Sequence, residues 1–290
     1  MRPLEGLRVV TLALNLPGPA AARRLRQLGA RVIKVEPPAG DPMEQYLPEW
    51  YRDLAVGQTV LRLDLKATRD RERLGRLLAN ADLLITATRP AALARLALDW
   101  PTLHGDCPRL CQVAIVGFPA PRQNEAGHDL TYQAAHGLLS PPQMPRTLLS
   151  DMAGAEQSVA AALALLLARE RSGAGGYAEV ALAEAAAAMA EPLRYATTLP
   201  GGNLGGGIPE YNLYAAEDGW VAVAALEPHF KERLEEGLGI RTGADYRRVF
   251  ATRRAADWQA WGERQDVPIA VVRQPEDDAA IQSRSVIEGG

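Results

Sequence analysis

The stretch LRVVTLALNLPGPAAARRLRQLGARVIKVEPP, residues 7–38, contains the repeating unit that decides the fold. Its first eight residues form a continuous apolar run rich in β-branched side chains, which is typical of a strand buried on both faces. A turn with prolines and an amphipathic segment that stops at Gly29 predict a helix. A second apolar run ends at two prolines. Strand, helix and strand in this order predict a parallel pair joined by a right-handed crossover.

The same alternation continues beyond residue 38. Further strands are expected in TVLRLDL, DLLITAT and RLCQVAIVGF, and helices in DRERLGRLLANA and PAALARLAL. Alternation of this kind is the pattern of sheets that carry helices on both faces. The predicted fold class is therefore α/β, with a doubly wound, mostly parallel, Rossmann-like sheet.

The regular alternation of strand and helix signals ends near Gly127. A long alanine-rich helix is expected, with Asp151 near its start and Gly173 just past its end, followed by a strand and a second alanine-rich helix. The glycine-rich stretch LPGGNLGGGIPEY is the clearest break in the chain, and a hairpin with the turn EDG follows it. We therefore expect a large α/β domain over residues 1–198 and a small α+β domain over residues 199–290.

Composition narrows the function classes. The formal net charge is −3, so no basic excess favours nucleic acid or an anionic membrane surface. The only cysteines, Cys107 and Cys111, lack further Cys or His at ligand spacing, so no metal site is expected and both are expected to be reduced thiols. The N-terminus shows no signal peptide, and the longest apolar run, about ten residues, is too short to span a bilayer. These features predict a cytoplasmic protein.

Known nucleotide and nucleophile motifs are missing from the sequence. No G-x-G-x-x-G follows the first strand, and no P-loop occurs, so dinucleotide and ATP binding are weakly supported. The glycine-rich stretch lies between a helix and a hairpin, which is the wrong context for either motif. A serine triad of the α/β-hydrolase kind is also poorly supported, because no G-x-S-x-G occurs.

Three polar residues interrupt otherwise apolar patterns. His128 and Asp151 each stand at a predicted helix start, where free backbone N–H groups suit an anion or a developing oxyanion. For Asp151 a helix cap is an equally good interpretation. Glu227 follows a predicted strand, and either pairs with a histidine or occupies a surface turn. From the residues alone, a proton-transfer pair and a nucleophilic carboxylate both remain open.

Several stretches, in order along nearly the whole chain, resemble the family III CoA-transferases, a superfamily that includes the α-methylacyl-CoA racemases. They include PGPAAARRLRQLGARVIKVEPPAGDP, ADLLITATRPAALARLAL, GHDLTYQAAHGLL and SDMAGAEQSVAAALALLLARERSGAGGYAEVAL. The resemblance implies a coenzyme A thioester as substrate, no permanently bound cofactor and an interlocked homodimer.

The resemblance is closest to the racemases, and it implies catalytic roles for His128, Asp151 and Glu227. His128 and Asp151 would flank the α-carbon of a 2-methylacyl-CoA, one removing the α-proton and the other returning a proton to the opposite face. Glu227 would orient His128, and backbone N–H groups at the two helix starts would hold the thioester enolate. In the transferases, the alternative, Asp151 would instead form a mixed anhydride with the acyl group.

Other positions are assigned by the same resemblance. Residues Gly205, Gly206 and Gly207 would form a loop over the site, and Arg89, Arg95 and Tyr132 would contact CoA. The chain departs from the family at Gln58 and Thr59, where a basic pair usually contacts the CoA phosphates, and it ends near the close of the small domain. A second alternative is therefore a degenerate CoA-binding paralogue without turnover.

Overall fold

The structure is a computed structural model in which residues 1–275 are described. The chain divides into two compact units, Met1–Glu191 and Pro192–Gly290. The boundary expected from the sequence, after residue 198, lies a few residues further along. Each unit has its own hydrophobic core.

The first unit is built on a six-stranded sheet in which every neighbouring pair is parallel. The strand order is β3-β2-β1-β4-β5-β6, with β1 (Arg8–Thr11), β2 (Arg31–Glu36), β3 (Thr59–Arg62), β4 (Leu83–Thr86), β5 (Cys111–Val116) and β6 (Tyr177–Ala181). This is the doubly wound order of Rossmann-like folds. The fold class expected from the sequence is therefore confirmed.

Helices connect the strands and cover the sheet. In chain order they are α1 (Pro17–Gln27), α2 (Met43–Tyr46), α3 (Pro48–Ala55), α4 (Thr68–Leu78), α5 (Pro90–Arg95), α6 (Trp100–Asp106), α7 (Asp129–Ala135), α8 (Leu149–Ser172) and α9 (Leu182–Met189), with α10 (Glu191–Arg194) spanning the division between the units. The sequence did not predict α2, α3 or α6. It also placed the end of α5 too late, because Ala97 adopts a positive φ of 55° that breaks the helix.

The strand order places a topological switch point beside β1. The chain leaves β1 toward β2 on one side and later reaches β4 on the other side. The connections that follow β1 and β4 therefore diverge at the carboxyl edge of the sheet and leave a crevice between them. Ligands of open α/β sheets bind in such a crevice, so this edge is where a site is expected.

Helix α8 is the long alanine-rich helix predicted from the sequence, and its end is fixed by Gly173, which adopts a left-handed φ of 76°. With 24 residues, it is long and apolar enough by length and composition to cross a membrane, although the ten-residue run considered alone is not. It packs against α1, α9 and β5. The core helix of a globular domain meets the same criteria, so length and hydropathy do not decide its environment.

The second unit contains a three-stranded antiparallel sheet of β7 (Tyr211–Ala216), β8 (Gly219–Ala224) and β9 (Ile269–Val271). The hairpin expected around the turn EDG corresponds to β7 and β8, while β9 was not predicted. Its helices are α11 (Pro228–Leu238), α12 (Gly243–Phe250) and α13 (Ala255–Gln265). Tyr214, Tyr246, Phe250 and Trp258 form the aromatic centre of its core.

Candidate active site

A cavity of 370 Å³ lies at the carboxyl edge of the parallel sheet, and we refer to it as the central cavity. It is lined by residues 14–17 after β1, by Ala87 and Arg89 after β4, and by residues 115–117 at the end of β5. His128 and Asp151 complete its wall. The fold thus brings the two principal candidate residues together at the switch point, where a ligand is expected.

His128 is the N-cap residue of α7, with the extended backbone typical of that position. Its backbone N–H donates to Oγ1 of Thr131 at 3.0 Å, and the Thr131 hydroxyl donates to the carbonyl oxygen of His128 at 2.7 Å. These two bonds fix the backbone of His128 without using its imidazole. The side chain is exposed, and it lines the central cavity.

Tyr132 lies behind His128, and two glycines allow its ring to be there. The ring is buried and meets Phe118 edge-on, with centroids 5.2 Å apart. A Cβ at Gly127 would lie 2.5 Å from Cε1 of Tyr132, and one at Gly117 would meet its hydroxyl. The glycine that precedes His128 is therefore required by packing. Tyr132, predicted to contact CoA, is a core residue that also lines the cavity.

Asp151 lies in the first turn of α8 but does not cap that helix. The backbone N–H groups of Ser150 and Asp151 donate to Oδ1 of Asp129, at 2.7 and 3.1 Å. Asp129 is buried at the start of α7, and its Oδ2 accepts a hydrogen bond from Gln133. Asp129 thus provides the capping carboxylate that the sequence suggested for Asp151. This role of Asp129 was not predicted, although Asp129 adjoins His128.

The environment of Asp151 favours its neutral form. Burial raises the pKa of this carboxyl group to about 7, and the nearby charge of Asp129 adds to the effect. A carboxyl group with this pKa is present in both protonation states near neutral pH. It can therefore either donate or accept a proton without a change of conditions.

The two arginines expected to contact CoA differ in whether they line the central cavity. Arg89 lines the central cavity, whereas Arg95 is exposed and does not.

A second cavity, which we call the adjacent cleft, lies beside the central cavity and has a volume of 270 Å³. It shares Leu14 with the central cavity, and Lys66 and Thr88 form part of its wall, whereas Arg95 does not. Lys66 was not predicted. The signal that could have found it is its position just after β3, at the same carboxyl edge.

Glu227 and the glycine-rich loop belong to the second unit. Glu227 is the residue before α11, and its carboxylate is exposed and does not cap the helix. In the loop, Gly206 has a positive φ of 85°, and a Cβ at Gly205 or Gly207 would collide with backbone atoms. The glycines are thus required by the loop's own close packing. The roles assigned to Glu227 and to this loop stay predictions.

Within residues 1–275, no group of three or more His, Cys, Asp or Glu side chains is placed to hold a metal ion. Cys107 and Cys111 are free thiols, and Cys111 is buried. Burial raises the pKa of the Cys107 thiol, which lowers its reactivity as a thiolate.

Comparison with known proteins identifies the family. The family model described as CoA-transferase family III matches residues 4–289, and the chain belongs to this family. It is 34% identical over 259 residues to the α-methylacyl-CoA racemase of Homo sapiens, and 30% identical over 262 residues to the succinyl-CoA–D-citramalate CoA-transferase of Chloroflexus aurantiacus. In each case the alignment covers 82% of this chain and 65% of the relative, so the chain spans less than two thirds of their length.

A solved structure supports the fold. A hypothetical protein of Mycobacterium tuberculosis superimposes with a TM-score of 0.83, covering 98% of this chain and 90% of that chain. The sequence identity is 23%, so this likeness concerns the fold alone. Because racemases and transferases both occur among the relatives, family membership does not distinguish the two reactions.

Proposed function

We propose that this protein acts on acyl-CoA thioesters and exchanges the α-proton of a 2-methylacyl-CoA, with His128 and Asp151 as the two proton-transferring groups. Removal of the α-proton gives a thioester enolate, and reprotonation from the opposite face gives the other epimer. Neither a metal nor a further reactant is needed, since the proton that leaves the substrate is replaced by one from the second group.

One observation carries this proposal: His128 and Asp151 line the same cavity, and Asp151 has a pKa of about 7. General acid–base catalysis is most efficient when the pKa of the catalytic group lies near the working pH. A racemase needs this property in both directions, because each group acts as base for one epimer and as acid for the other. A carboxylate that serves only as nucleophile gains nothing from being half protonated.

The groups that hold the enolate oxygen differ from the sequence-based expectation. That expectation used backbone N–H groups at the starts of α7 and α8, but at α8 those of Ser150 and Asp151 already donate to Asp129. Arg89 is the only Arg or Lys among the described residues that line the central cavity. We therefore assign stabilisation of the enolate charge to Arg89.

The adjacent cleft is our proposed position for the nucleotide part of CoA. It opens beside the central cavity, shares Leu14 with it, and contributes the Lys66 ammonium group for the phosphates. Lys66 would then take over part of the role of the basic pair that is replaced by Gln58 and Thr59. A Lys66→Met variant should bind CoA more weakly while leaving Asp151 in place.

A CoA-transferase is the second candidate function, favoured by relatives such as the Chloroflexus aurantiacus enzyme. In this reaction the Asp151 carboxylate attacks the thioester carbonyl and forms a mixed anhydride, and the CoA thiolate leaves. The thiolate then attacks the Asp151 carbonyl of the anhydride, which releases the donor acid and leaves a thioester between Asp151 and CoA. The acceptor carboxylate attacks this thioester and expels the thiolate, and the thiolate attacks the acceptor carbonyl of the new anhydride, which gives the new acyl-CoA and frees Asp151. We expect the loop at Gly205, Gly206 and Gly207 to cover the anhydride in this case.

A deuterium experiment separates the candidates. The protein is incubated with 2-methylbutanoyl-CoA in deuterated water without an acceptor acid, and α-deuterium is measured by mass spectrometry. Exchange that is lost in both His128→Ala and Asp151→Ala supports the racemase. Absence of exchange, with a hydroxamate formed when hydroxylamine traps the acyl group, supports the transferase. Bound CoA with neither signal would identify a non-catalytic binding protein.

The role proposed for Glu227 has a test of its own. If Glu227 orients the His128 imidazole, Glu227→Gln should lower kcat for α-exchange and leave KM nearly unchanged. Lys231→Met is a suitable control, because Lys231 lies on the same helix and pairs instead with Glu210 at 2.7 Å. An equal effect of both substitutions would exclude a specific role for Glu227.

A homodimer, which the resemblance implies, is consistent with the surface of α8. Met152, Leu163 and Leu167 are 40%, 38% and 57% exposed along this helix. We propose that a second copy of the chain covers this face. Light scattering should then give twice the mass of the chain, and Leu163→Glu combined with Leu167→Glu should give the single mass.

A further inference from the structure

Tyr46 and Asn15 are two polar side chains in a largely apolar part of the wall of the central cavity, the part between β1 and α3. The hydroxyl of Tyr46 donates a hydrogen bond of 3.0 Å to Oδ1 of Asn15, and both residues line the central cavity. Around them the same wall contains Leu14, Leu16 and Met43. Neither Tyr46 nor Asn15 has a part in the proton transfer assigned to His128 and Asp151.

The pair presents one donor and one acceptor to a bound molecule. The Tyr46 hydroxyl uses its proton on Asn15, so its oxygen retains lone pairs, while the Asn15 amide retains its N–H groups. If the amide turns over, its N–H group donates to Tyr46, which leaves the phenol proton and the amide oxygen available instead. Either arrangement offers one donor beside one acceptor. An alcohol hydroxyl can form hydrogen bonds with both groups, because it is both a donor and an acceptor.

The protonated state of Tyr46 is secured by its surroundings. Burial raises the pKa of the phenol, and the carboxylates of Asp41 and Asp151 raise it further. Tyr46 and Asp151 both line the central cavity. A substrate group that contacts Tyr46 therefore lies in the same cavity as the proposed catalytic carboxylate.

The position of Asn15 is fixed from the core. Asn15 has a positive φ of 64°, and its backbone N–H donates to Oδ1 of Asp41 at 3.1 Å. The same oxygen accepts the N–H of Met43 at 3.0 Å, which ties the start of α2 to the turn after β1. Asp41 is fully buried and pairs with the buried Lys34. The polar pair is thus preorganised rather than a chance surface contact.

We propose that Tyr46 and Asn15 select acyl groups that carry a hydroxyl near the α-carbon, so that the preferred substrates are hydroxyacyl-CoA thioesters. This inference rests on the acyl-CoA function proposed above and specifies its substrate class. Both side chains are exposed at the rim, so water competes for their hydrogen bonds. The preference over a hydrocarbon acyl group is therefore roughly tenfold, the effect of about 1.4 kcal/mol of net hydrogen bonding.

The test measures equilibrium binding of two thioesters of nearly equal size by isothermal titration calorimetry. In 3-hydroxypropanoyl-CoA a hydroxyl replaces the terminal methyl of butanoyl-CoA. Neither has a stereocentre at the α-carbon, so α-proton exchange regenerates the same compound and does not disturb the titration. The proteins compared are the full chain, Tyr46→Phe, which removes one oxygen, and Asn15→Gly, which removes the amide and tolerates the positive φ.

We expect the unaltered protein to bind the hydroxylated thioester about tenfold more tightly, and both variants to bind the two thioesters equally. The far-UV circular dichroism spectra of both variants should match that of the unaltered protein, which separates a specific loss from misfolding. Equal affinities in the unaltered protein, a preference that persists in both variants, or no binding of either thioester would overturn the proposal. Binding with the expected preference but without α-deuterium exchange would overturn only the proposed reaction.

Discussion

The buried carboxylate of Asp129 accepts a hydrogen bond of 3.1 Å from the backbone N–H of Asp151. This contact connects the two halves of the proposed site, because Asp129 follows His128 in the chain and anchors the helix that carries Asp151. It also explains why the Asp151 carboxylate is available for chemistry, since the capping role belongs to another residue. Burial is the larger cause of the raised pKa of Asp151, and the proximity of the Asp129 carboxylate raises it further.

Replacing Asp129 with asparagine should lower the pKa of Asp151. Asn keeps an oxygen for the N–H groups of Ser150 and Asp151. The hydrogen bond from Gln133 is lost, because the Gln133 amide nitrogen also donates to the carbonyl oxygen of Thr147 and the amide cannot turn without breaking that bond. The negative charge is removed, so the limb of the pH–rate profile that requires protonated Asp151 should move to lower pH. The measurement is kcat/KM for α-deuterium exchange between pH 5 and 9.

The matched control is Glu156→Gln, which removes an exposed carboxylate further along α8. Its pH–rate profile should coincide with that of the unaltered protein. If Asp129→Asn also leaves the profile in place, the charge of Asp129 does not govern the protonation of Asp151.

Asp151 should make the protein less stable as the pH rises from about 4 to 7. Its pKa of about 7 in the folded state exceeds the ordinary value of 3.8, so across this interval the folded protein holds a proton that the unfolded chain has released. The free energy of unfolding therefore falls with rising pH and levels off above 7. The total effect of this one group is at most about 4 kcal/mol.

Denaturant unfolding of the unaltered protein and of Asp151→Asn measures this effect. At pH 8 the variant should be the more stable protein, and near pH 4 the two should be alike. A variant that is less stable at pH 8 would mean that the Asp151 carboxylate is held by favourable contacts instead of being disfavoured by burial.

The sequence predicted the parallel sheet and the alanine-rich helices because their signals are local. The stretch of residues 7–14, which contains β1, is mostly apolar, and Gly173 ends α8 as a glycine in the left-handed conformation usually does. By contrast, α2 and α3 together span only residues 43–55, which is too short for a clear periodicity. Yet these two segments provide Tyr46 and Trp50, which line the central cavity.

Long-range contacts account for what the sequence could not predict about the site. A helix start with an acidic residue in its first turn predicts a cap, and Asp151 fits that pattern. The actual cap, Asp129, is more than twenty residues away in the chain, and only the packing of α7 against α8 brings it there. Likewise, the link from Lys34 through Asp41 to Asn15 joins three separate segments and has no periodic signature.

Gly127→Ala should destabilise the protein and reduce activity together. The new Cβ would lie 2.5 Å from the buried ring of Tyr132, which cannot move without disturbing Phe118. Overpacking of this kind typically costs about 1–3 kcal/mol, and any relief that shifts the backbone also shifts His128. Thermal unfolding and kcat/KM for α-exchange should both decline.

Gly75→Ala is the matched control, because Gly75 lies within α4 and an added Cβ meets nothing within 4 Å. Alanine has the higher helix propensity, so this variant should gain up to about 1 kcal/mol in stability and keep its activity. Unchanged activity in Gly127→Ala would show that the position of His128 does not depend on the packing around Tyr132.

Lys34→Met should cost about 3–5 kcal/mol, because it leaves the buried Asp41 carboxylate without its cation and Glu36 with only the more distant Arg62, 3.8 Å away. Nζ of Lys34 lies 2.8 Å from Glu36 and 2.5 Å from Asp41, and both carboxylates are fully buried. Arg248→Met serves as the comparison. It breaks the 2.7 Å ion pair between Arg248 and Asp245, in which the arginine side chain is exposed, and it should cost no more than about 1 kcal/mol. Denaturant unfolding compares the two variants. Equal losses would mean that the buried cluster contributes no more than a surface pair.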